Sequence, residues 1–309
     1  MAAAPFRRVY LPDEISDGVI MEFLRPGTWA EALELKAAHP GATPIQGGTD
    51  VMVELNFDKG RPAALLDLNP CRELLDIAEI DGKLRIGAAV PYVKIIRELH
   101  RQVPGLAQAA RTVGSPQIRN RGSVGGNLGA ASPAGDSHPA LLAANAVIEA
   151  ESAERGSRMI PVDDFYVWVK KNALEPDELI RAVWLPLATG PQYFSKVGTR
   201  NAMVIAVCSF AIALHPEDRG VGTGIGSSGP TPMRAVPAEE FLAAALPWDD
   251  PAPLADSLLR EFGALVAASA KPIDDVRGTA DYRKHALSVL ARRTLTWAWN
   301  DFAAQRRAA

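Results

Sequence analysis

The sequence predicts a protein of mixed α and β structure in two domains. Three observations carry that expectation: short strand-like runs interleaved with helical stripes, a break in the pattern at residues 187–192 around Gly190-Pro191, and a length of 309 residues, more than one small core needs. Thr28-Trp29-Ala30-Glu31 is a capping-box pattern, and the Ala and Leu positions after it run to His39-Pro40-Gly41, a helix stop. Thr43-Pro44-Ile45 is a short strand, residues 65–68 and 83–87 are strand-like, and residues 93–99 have helical spacing. Residues 112–136 are dense in Gly, Ser, Asn and Pro yet bounded by apolar segments, so they read as a long irregular stretch of the kind that carries function. A helical turn at 139–144 follows, then strands at 146–150 and 179–185, the latter ended by Pro186. Beyond the break, residues 193–197 and 204–214 read as strands, residues 220–232 as an irregular turn, and the rest as helices. The last helix, at about 281–302, aligns Leu287, Leu290, Ala291, Leu295 and Trp299 along one stripe and leaves Arg283, Lys284, Arg292 and Arg293 on its surface.

Composition excludes several classes of function. The 33 Lys and Arg are dispersed among 36 Asp and Glu for a net charge of −3, without the basic footprint that nucleic-acid binding requires. Arg7-Arg8 is followed by Leu11-Pro12-Asp13-Glu14, which interrupts the apolar stretch of a signal peptide, so a cytoplasmic location is expected. The longest near-apolar run, residues 203–214, falls short of the roughly 18 residues of a membrane span and reads as a buried strand. Cys71 and Cys208 are the only cysteines, too few for a four-thiolate cluster, and the five histidines have no ligand spacing among them, so no metal centre is expected in this chain.

Two glycine-rich turns carry the chemistry: Ile45-Gln46-Gly47-Gly48-Thr49-Asp50 and Gly122-Ser123-Val124-Gly125-Gly126-Asn127. A Gly-Gly pair lets the backbone enter left-handed conformations and brings successive N–H donors round one concavity, a nest for phosphate; Thr49 and Ser123 each add a hydroxyl donor. Either turn alone is compatible with an ordinary tight turn; two together point to two phosphates, with Gly125→Val expected to strain the backbone and block the approach to phosphate. By contrast, Gly224-Ile225-Gly226-Ser227-Ser228-Gly229 matches the dinucleotide fingerprint only in letters, because Pro230-Thr231-Pro232 follows where a helix must open.

The run from Thr112 through Ser115-Pro116-Gln117-Ile118-Arg119-Asn120-Arg121-Gly122-Ser123-Val124-Gly125-Gly126-Asn127, followed by Ala131-Ser132-Pro133-Ala134-Gly135-Asp136, closely resembles the flavin-binding signature of the medium subunits of molybdenum hydroxylases, the xanthine dehydrogenase and carbon-monoxide dehydrogenase family. Gln46-Gly47-Gly48-Thr49-Asp50 resembles that family's other flavin motif, and Gly229-Pro230-Thr231-Pro232-Met233-Arg234-Ala235 the segment that marks its C-terminal domain. The resemblance covers nearly the whole chain. It implies a vanillyl-alcohol-oxidase (PCMH)-type FAD-binding fold of two subdomains, about 1–75 and 76–190, followed by a smaller α+β C-terminal domain at 191–309. It also implies that Ile45, Gln46, Gly47, Gly48, Thr49 and Asp50, with Ser123, Val124, Gly125, Gly126 and Asn127, hold the FAD pyrophosphate. Asp136 matches a carboxylate that accepts from cofactor hydroxyl or amide groups, its other reading being a helix N-cap. Lys196 matches a lysine near the flavin ring, where a cation favours negative charge on the reduced cofactor, its other reading being a surface lysine. Ile180 falls where an aliphatic packs on the ring, and Phe194 near a position often aromatic. Gln46 departs from the small residue commoner there, and Gly-Gly-Thr-Asp is closer to the xanthine dehydrogenase type. The cysteine-bearing insertion of the hydroxybenzoyl-CoA reductase branch is absent.

The function so implied is an electron-transfer subunit with no catalytic acid or base of its own. A large partner chain hydroxylates substrate at a molybdenum cofactor, a small partner carries two 2Fe-2S clusters, and the FAD of this chain reduces NAD+ or another acceptor, in a dimer of heterotrimers. The competing readings are a stand-alone flavin oxidase of the same fold, often with a covalent flavin link, and a flavin-free assembly module.

Overall fold

Three sheets and a two-stranded hairpin organise the residues that the structure, a computed structural model, describes, 21–308. The Arg7-Arg8 and Leu11-Pro12-Asp13-Glu14 features lie outside the described residues. In chain order, strand β1 (Glu22–Leu24), helix α1 (Trp29–Ala38), β2 (Thr43–Ile45), α2 (Val51–Asn56) and β3 (Ala64–Asp67) build a parallel sheet of order β1-β3-β2. Buried along its whole length, β3 pairs Ala64 with Glu22 on one side and Leu65 with Thr43 on the other. Helix α1 starts as the sequence predicts, with Thr28 Oγ1 accepting from the Glu31 amide at 3.2 Å. Only half of the capping box forms, because the Glu31 carboxylate accepts from the Gly27 amide at 2.6 Å.

The second unit runs through β4 (Ile77–Ile80), β5 (Lys83–Gly87), α3 (Tyr92–Glu98), α4 (Pro104–Thr112), α5 (Pro116–Arg121), α6 (Val124–Ala130) and α7 (Ser137–Ala143). It continues with β6 (Val147–Ser152), β7 (Gly156–Pro161), α8 (Val162–Phe165), the hairpin β8 (Tyr166–Trp168) and β9 (Lys171–Asn172), and β10 (Leu179–Pro186). Its five-stranded antiparallel sheet has the order β4-β5-β10-β6-β7, with a bulge in β10 between Ile180 and Ala182. The stretch at 112–136, expected to be irregular, contains α5 and α6, each opened by a serine: Ser115 Oγ accepts from the Ile118 amide at 3.3 Å and Ser123 Oγ from the Gly126 amide at 3.1 Å. Such short segments rich in Gly, Asn and Pro have little helical propensity of their own. The burial of Val124, Gly125 and Leu128 holds α6 in place.

The third unit is an antiparallel meander of β11 (Gln192–Val197), β12 (Cys208–His215) and β13 (Gly220–Gly226), covered by α9 (Val236–Ala245), α10 (Asp256–Ser269) and α11 (Ala280–Ala308). The strand expected at 204–214 begins only at Cys208. The segment expected as an irregular turn at 220–232 opens instead with β13, and its alternating glycines explain the difference. A Cβ on Gly222 would lie 2.1 Å from the Ala143 carbonyl oxygen and one on Gly224 2.0 Å from that of Pro139, so the backbone of α7 rests directly on this strand. The α11 stripe is buried as predicted, in a core shared with Phe210 and Phe262. Arg283 is a correction: rather than facing solvent it is 2% exposed, its guanidinium donating to the carbonyls of Val207 and Ser227 and to the Asp275 carboxylate. No described helix is long and apolar enough to cross a membrane.

Gly224→Val forces backbone apart at the α7–β13 contact and lowers stability by about 1–3 kcal/mol in urea unfolding, whereas Gly41→Ala, with nothing within 4 Å of the added methyl, stays within about 0.5 kcal/mol. Burial alone would raise the Asp275 carboxyl, but hydrogen bonds and charge from Arg277 and Arg283 outweigh it and hold the group at about 2. A depressed carboxylate stabilises above its ordinary value and loses that contribution as pH falls through the folded value. The stability advantage of wild type over Asp275→Asn is therefore full above about pH 5 and shrinks steadily from about pH 4 toward pH 2.

Candidate functional site

The two glycine turns meet. A Cβ on Gly47 would lie 2.3 Å from the Arg121 carbonyl oxygen, so the first turn is in main-chain contact with the junction between α5 and α6. Side chains latch the contact: Arg121 Nη2 donates to the Gln46 carbonyl at 3.2 Å and to Asn69 Oδ1 at 2.9 Å, while Asn69 Nδ2 donates to the same carbonyl at 2.8 Å. A cleft of about 810 Å³ opens beside this seam, within the size range of cofactor sites, roughly 300–1,000 Å³.

The turns differ in what they offer. In the first, Gly48 has φ +72°, the left-handed conformation anticipated for a nest, and the N–H groups of Gly47, Gly48, Thr49 and Asp50 have no acceptor among the described residues. In the second, the glycines are helical rather than left-handed, and two donors are already engaged, Gly125 N–H with the Ala88 carbonyl at 3.2 Å and Gly126 N–H with Ser123 Oγ at 3.1 Å. Gly125 has no room for a side chain because a Cβ would sit 2.5 Å from Ala88; Gly125→Val would therefore disturb the fold before it disturbed a ligand. Gly126 and Gly129, three residues apart on one face of α6, are open: the first would meet only Ser123 Oγ at 3.4 Å and the second nothing within 4 Å. That bare face lets a ligand reach the helix backbone.

Of the residues singled out by sequence, Gln46, Gly47, Gly48, Thr49, Asp50, Ser123, Gly125, Gly126, Asn127, Asp136 and Ile180 line the cleft. Ile45, Val124 and Lys196 do not: Ile45 closes β2, Val124 is core, and Lys196 lies behind Asp136. Sequence reasoning missed other parts of the wall, including Gly129, Lys170 and Asn172 of the β8–β9 hairpin, and Met203, Val204 and Ile205. The Gly126-x-x-Gly129 spacing was a usable signal; the others come from segments distant in sequence.

Asp136 stands at the N-cap position of α7 but does not cap it. Its Oδ2 accepts from Lys196 Nζ at 2.6 Å and from Thr112 Oγ1 at 2.9 Å. Burial pushes this carboxyl up, while the charge and hydrogen bond of Lys196 and the Thr112 hydroxyl oppose the rise. Lys196 is no surface residue, for its ammonium also donates to the carbonyls of Thr112 and Val204. Beneath the wall, Ser137 Oγ donates to Asn127 Oδ1 at 2.6 Å and so fixes that side chain. His138, fully buried with Nδ1 at 2.8 Å from the Tyr166 hydroxyl, is pushed down to about 3 by desolvation and is neutral.

The buried pair is testable by itself. Lys196→Met strands the Asp136 carboxylate and costs about 3–5 kcal/mol in urea unfolding, and the double variant Lys196→Met/Asp136→Leu recovers most of that loss. Equal destabilisation of single and double variants would contradict the pairing.

Comparison with known proteins follows the same architecture. Residues 19–188 match the family described as the FAD binding domain in molybdopterin dehydrogenase, and residues 193–298 the CO dehydrogenase flavoprotein C-terminal domain. The chain is 34% identical over 237 residues to the nicotinate dehydrogenase FAD-subunit of Eubacterium barkeri, covering 72% of this chain and 80% of that one. It is 30% identical over 283 residues to the xanthine dehydrogenase FAD-binding subunit of Escherichia coli O157:H7, covering 88% and 94%. A solved carbon monoxide dehydrogenase from Hydrogenophaga pseudoflava superposes with a TM-score of 0.83 at 25% identity, over 91% of this chain and 98% of that chain. With the fold and these matches in agreement, the chain belongs to the FAD-binding medium subunits of the molybdenum hydroxylase family, which are subunits of oxidoreductases.

Proposed function

We propose that this chain is the electron-transfer subunit of a molybdenum–iron–sulfur hydroxylase, with a FAD domain up to about residue 190 and a C-terminal domain from 191. A large partner chain would hydroxylate a substrate, most simply a purine-like one as in xanthine dehydrogenase, and a small iron–sulfur chain would deliver the electrons. The terminal acceptor would be NAD+ or a similar oxidant, and the assembly a cytoplasmic dimer of heterotrimers. One observation carries the reading: four successive main-chain donors, Gly47 to Asp50, without acceptors among the described residues, beside a cleft of cofactor size. Relatives named for nicotinate and for xanthine both match this chain over most of its length, which supports placing substrate choice on another polypeptide.

The residues present fit FAD. The amides of Gly47–Asp50 and the Thr49 hydroxyl would bind the pyrophosphate, each hydrogen bond to an ionised oxygen adding roughly 1.5–3 kcal/mol. Gly126 and Gly129 leave the α6 backbone accessible, and Ser123 orders its first turn. Asp136 would accept a hydrogen bond from a cofactor hydroxyl or amide, and Ile180 would pack on the ring. Lys196 would act through Asp136, opposing the rise that burial gives its carboxyl and holding it in orientation. When bound, FAD supplies the hydride and single-electron chemistry; the protein holds it and excludes water.

The test is the spectrum of the purified chain, which should be yellow and lose all colour on acid precipitation, since no covalent attachment is expected. Gly129→Val fills the open face of α6 and should reduce FAD per chain at least about tenfold while apo-protein stability changes by less than about 1 kcal/mol. A colourless wild type that takes up no added FAD, or full occupancy in folded Gly129→Val, would overturn the assignment.

A further inference from the structure

On the far side of α5 from the cleft lies a second cavity, a groove of about 450 Å³ between α3, the end of α4 and α5. Its wall combines Val93, Ile96 and Pro116 with Arg97, Arg111 and Arg119. Arg97 and Arg111 are exposed and make no ion pair or hydrogen bond among the described residues, while Arg119 spends one nitrogen on the Val113 and Gly114 carbonyls. No carboxylate lines the groove. The sequence sharpens the point: from Leu99 to Gly135 there is no Asp or Glu, in a chain whose acidic residues outnumber its basic ones 36 to 33. A net-acidic protein that leaves three arginines together without counter-charges keeps a positive field there at a cost in self-repulsion, and Arg beside apolar side chains is the composition of recognition surfaces.

We propose that this groove docks an acidic segment of the electron-donating iron–sulfur partner. The proposal rests on the function proposed above and adds the place of contact. Charge complementarity selects the occupant's chemistry: carboxylates for the three guanidinium groups and an apolar side chain for the floor of Val93 and Ile96. Position selects which partner. Helix α5 presents Ile118 to the cofactor cleft and Pro116 and Arg119 to the groove, so a chain seated there is separated from the cleft by the thickness of one helix, about 10–12 Å with side chains. The open arginines also steer encounter, which suits a contact that has to form in one orientation.

The experiment uses the full chain with its purified iron–sulfur partner and compares wild type with Arg97→Glu/Arg111→Glu, both exposed positions outside the cleft wall. Affinity is measured by biolayer interferometry from 0.05 to about 0.5 M salt. Wild-type affinity should fall steeply with salt, and the double reversal should weaken binding about a hundredfold at low salt and flatten that dependence. FAD per chain should be the same in both proteins, and binding of the molybdenum-bearing chain unchanged. Equal affinity of the two proteins for the iron–sulfur chain, or a loss confined to the molybdenum-bearing chain, overturns the proposal. An absence of FAD from wild type and variant alike would instead count against the function proposed above.

Discussion

A methyl group on residue 47 would lie 2.3 Å from the Arg121 carbonyl oxygen, and the cleft depends on that absence of room. Because Gly47 has no side chain, a loop that leaves the parallel sheet touches the main chain of a helix junction more than seventy residues later. The contact sets where the amides of Gly47 to Asp50, without acceptors among the described residues, lie relative to the bare face of α6. Arg121 and Asn69 reinforce it through the Gln46 carbonyl, so the residue that departs from the family's small-residue preference contributes main chain to the latch.

The glycines divide their work in ways that motif reading does not separate. Gly48 supplies a left-handed φ, Gly47 and Gly125 supply close approach to neighbouring backbone, and Gly126 and Gly129 supply open surface. The two turns could be recognised as a pair in the sequence, and so could most of the cleft wall they provide. That the second turn is a capped helix rather than a nest could not, because α6 owes its existence to the burial of Val124 and Leu128 more than to local propensity. Similarly, β13 was hidden: alternating glycines weaken a strand signal, and their purpose, admitting α7, involves residues some eighty positions earlier. Arg283 was misread for the same kind of reason, since its acceptors lie on Val207 and Ser227 and leave no trace at its own helical position.

Function rests on these long-range contacts. The α7–β13 seam joins the meander to the helices behind the cleft, and the Lys196–Asp136 pair crosses between the same two parts, with Lys196 on β11 and Asp136 at the start of α7. Helix α4 adds a further tie, as the Phe194 amide donates to Gln108 Oε1 and the Gly105 amide to Gln192 Oε1. A cleft wall held from both sides keeps its acceptors and donors in place before a ligand arrives, which lowers the ordering cost of binding. No motif announces this rigidity; it appears only when the elements are assembled.

The central claim is that the amides of the first turn stand ready to bind a diphosphate. Titrating the isotopically labelled apo-chain with FAD and following individual backbone amides by NMR tests it most directly. The account predicts downfield shifts and slowed solvent exchange at Gly47, Gly48, Thr49 and Asp50 as FAD saturates the chain. Saturation with FAD while those four amides keep their apo positions and exchange rates would contradict it.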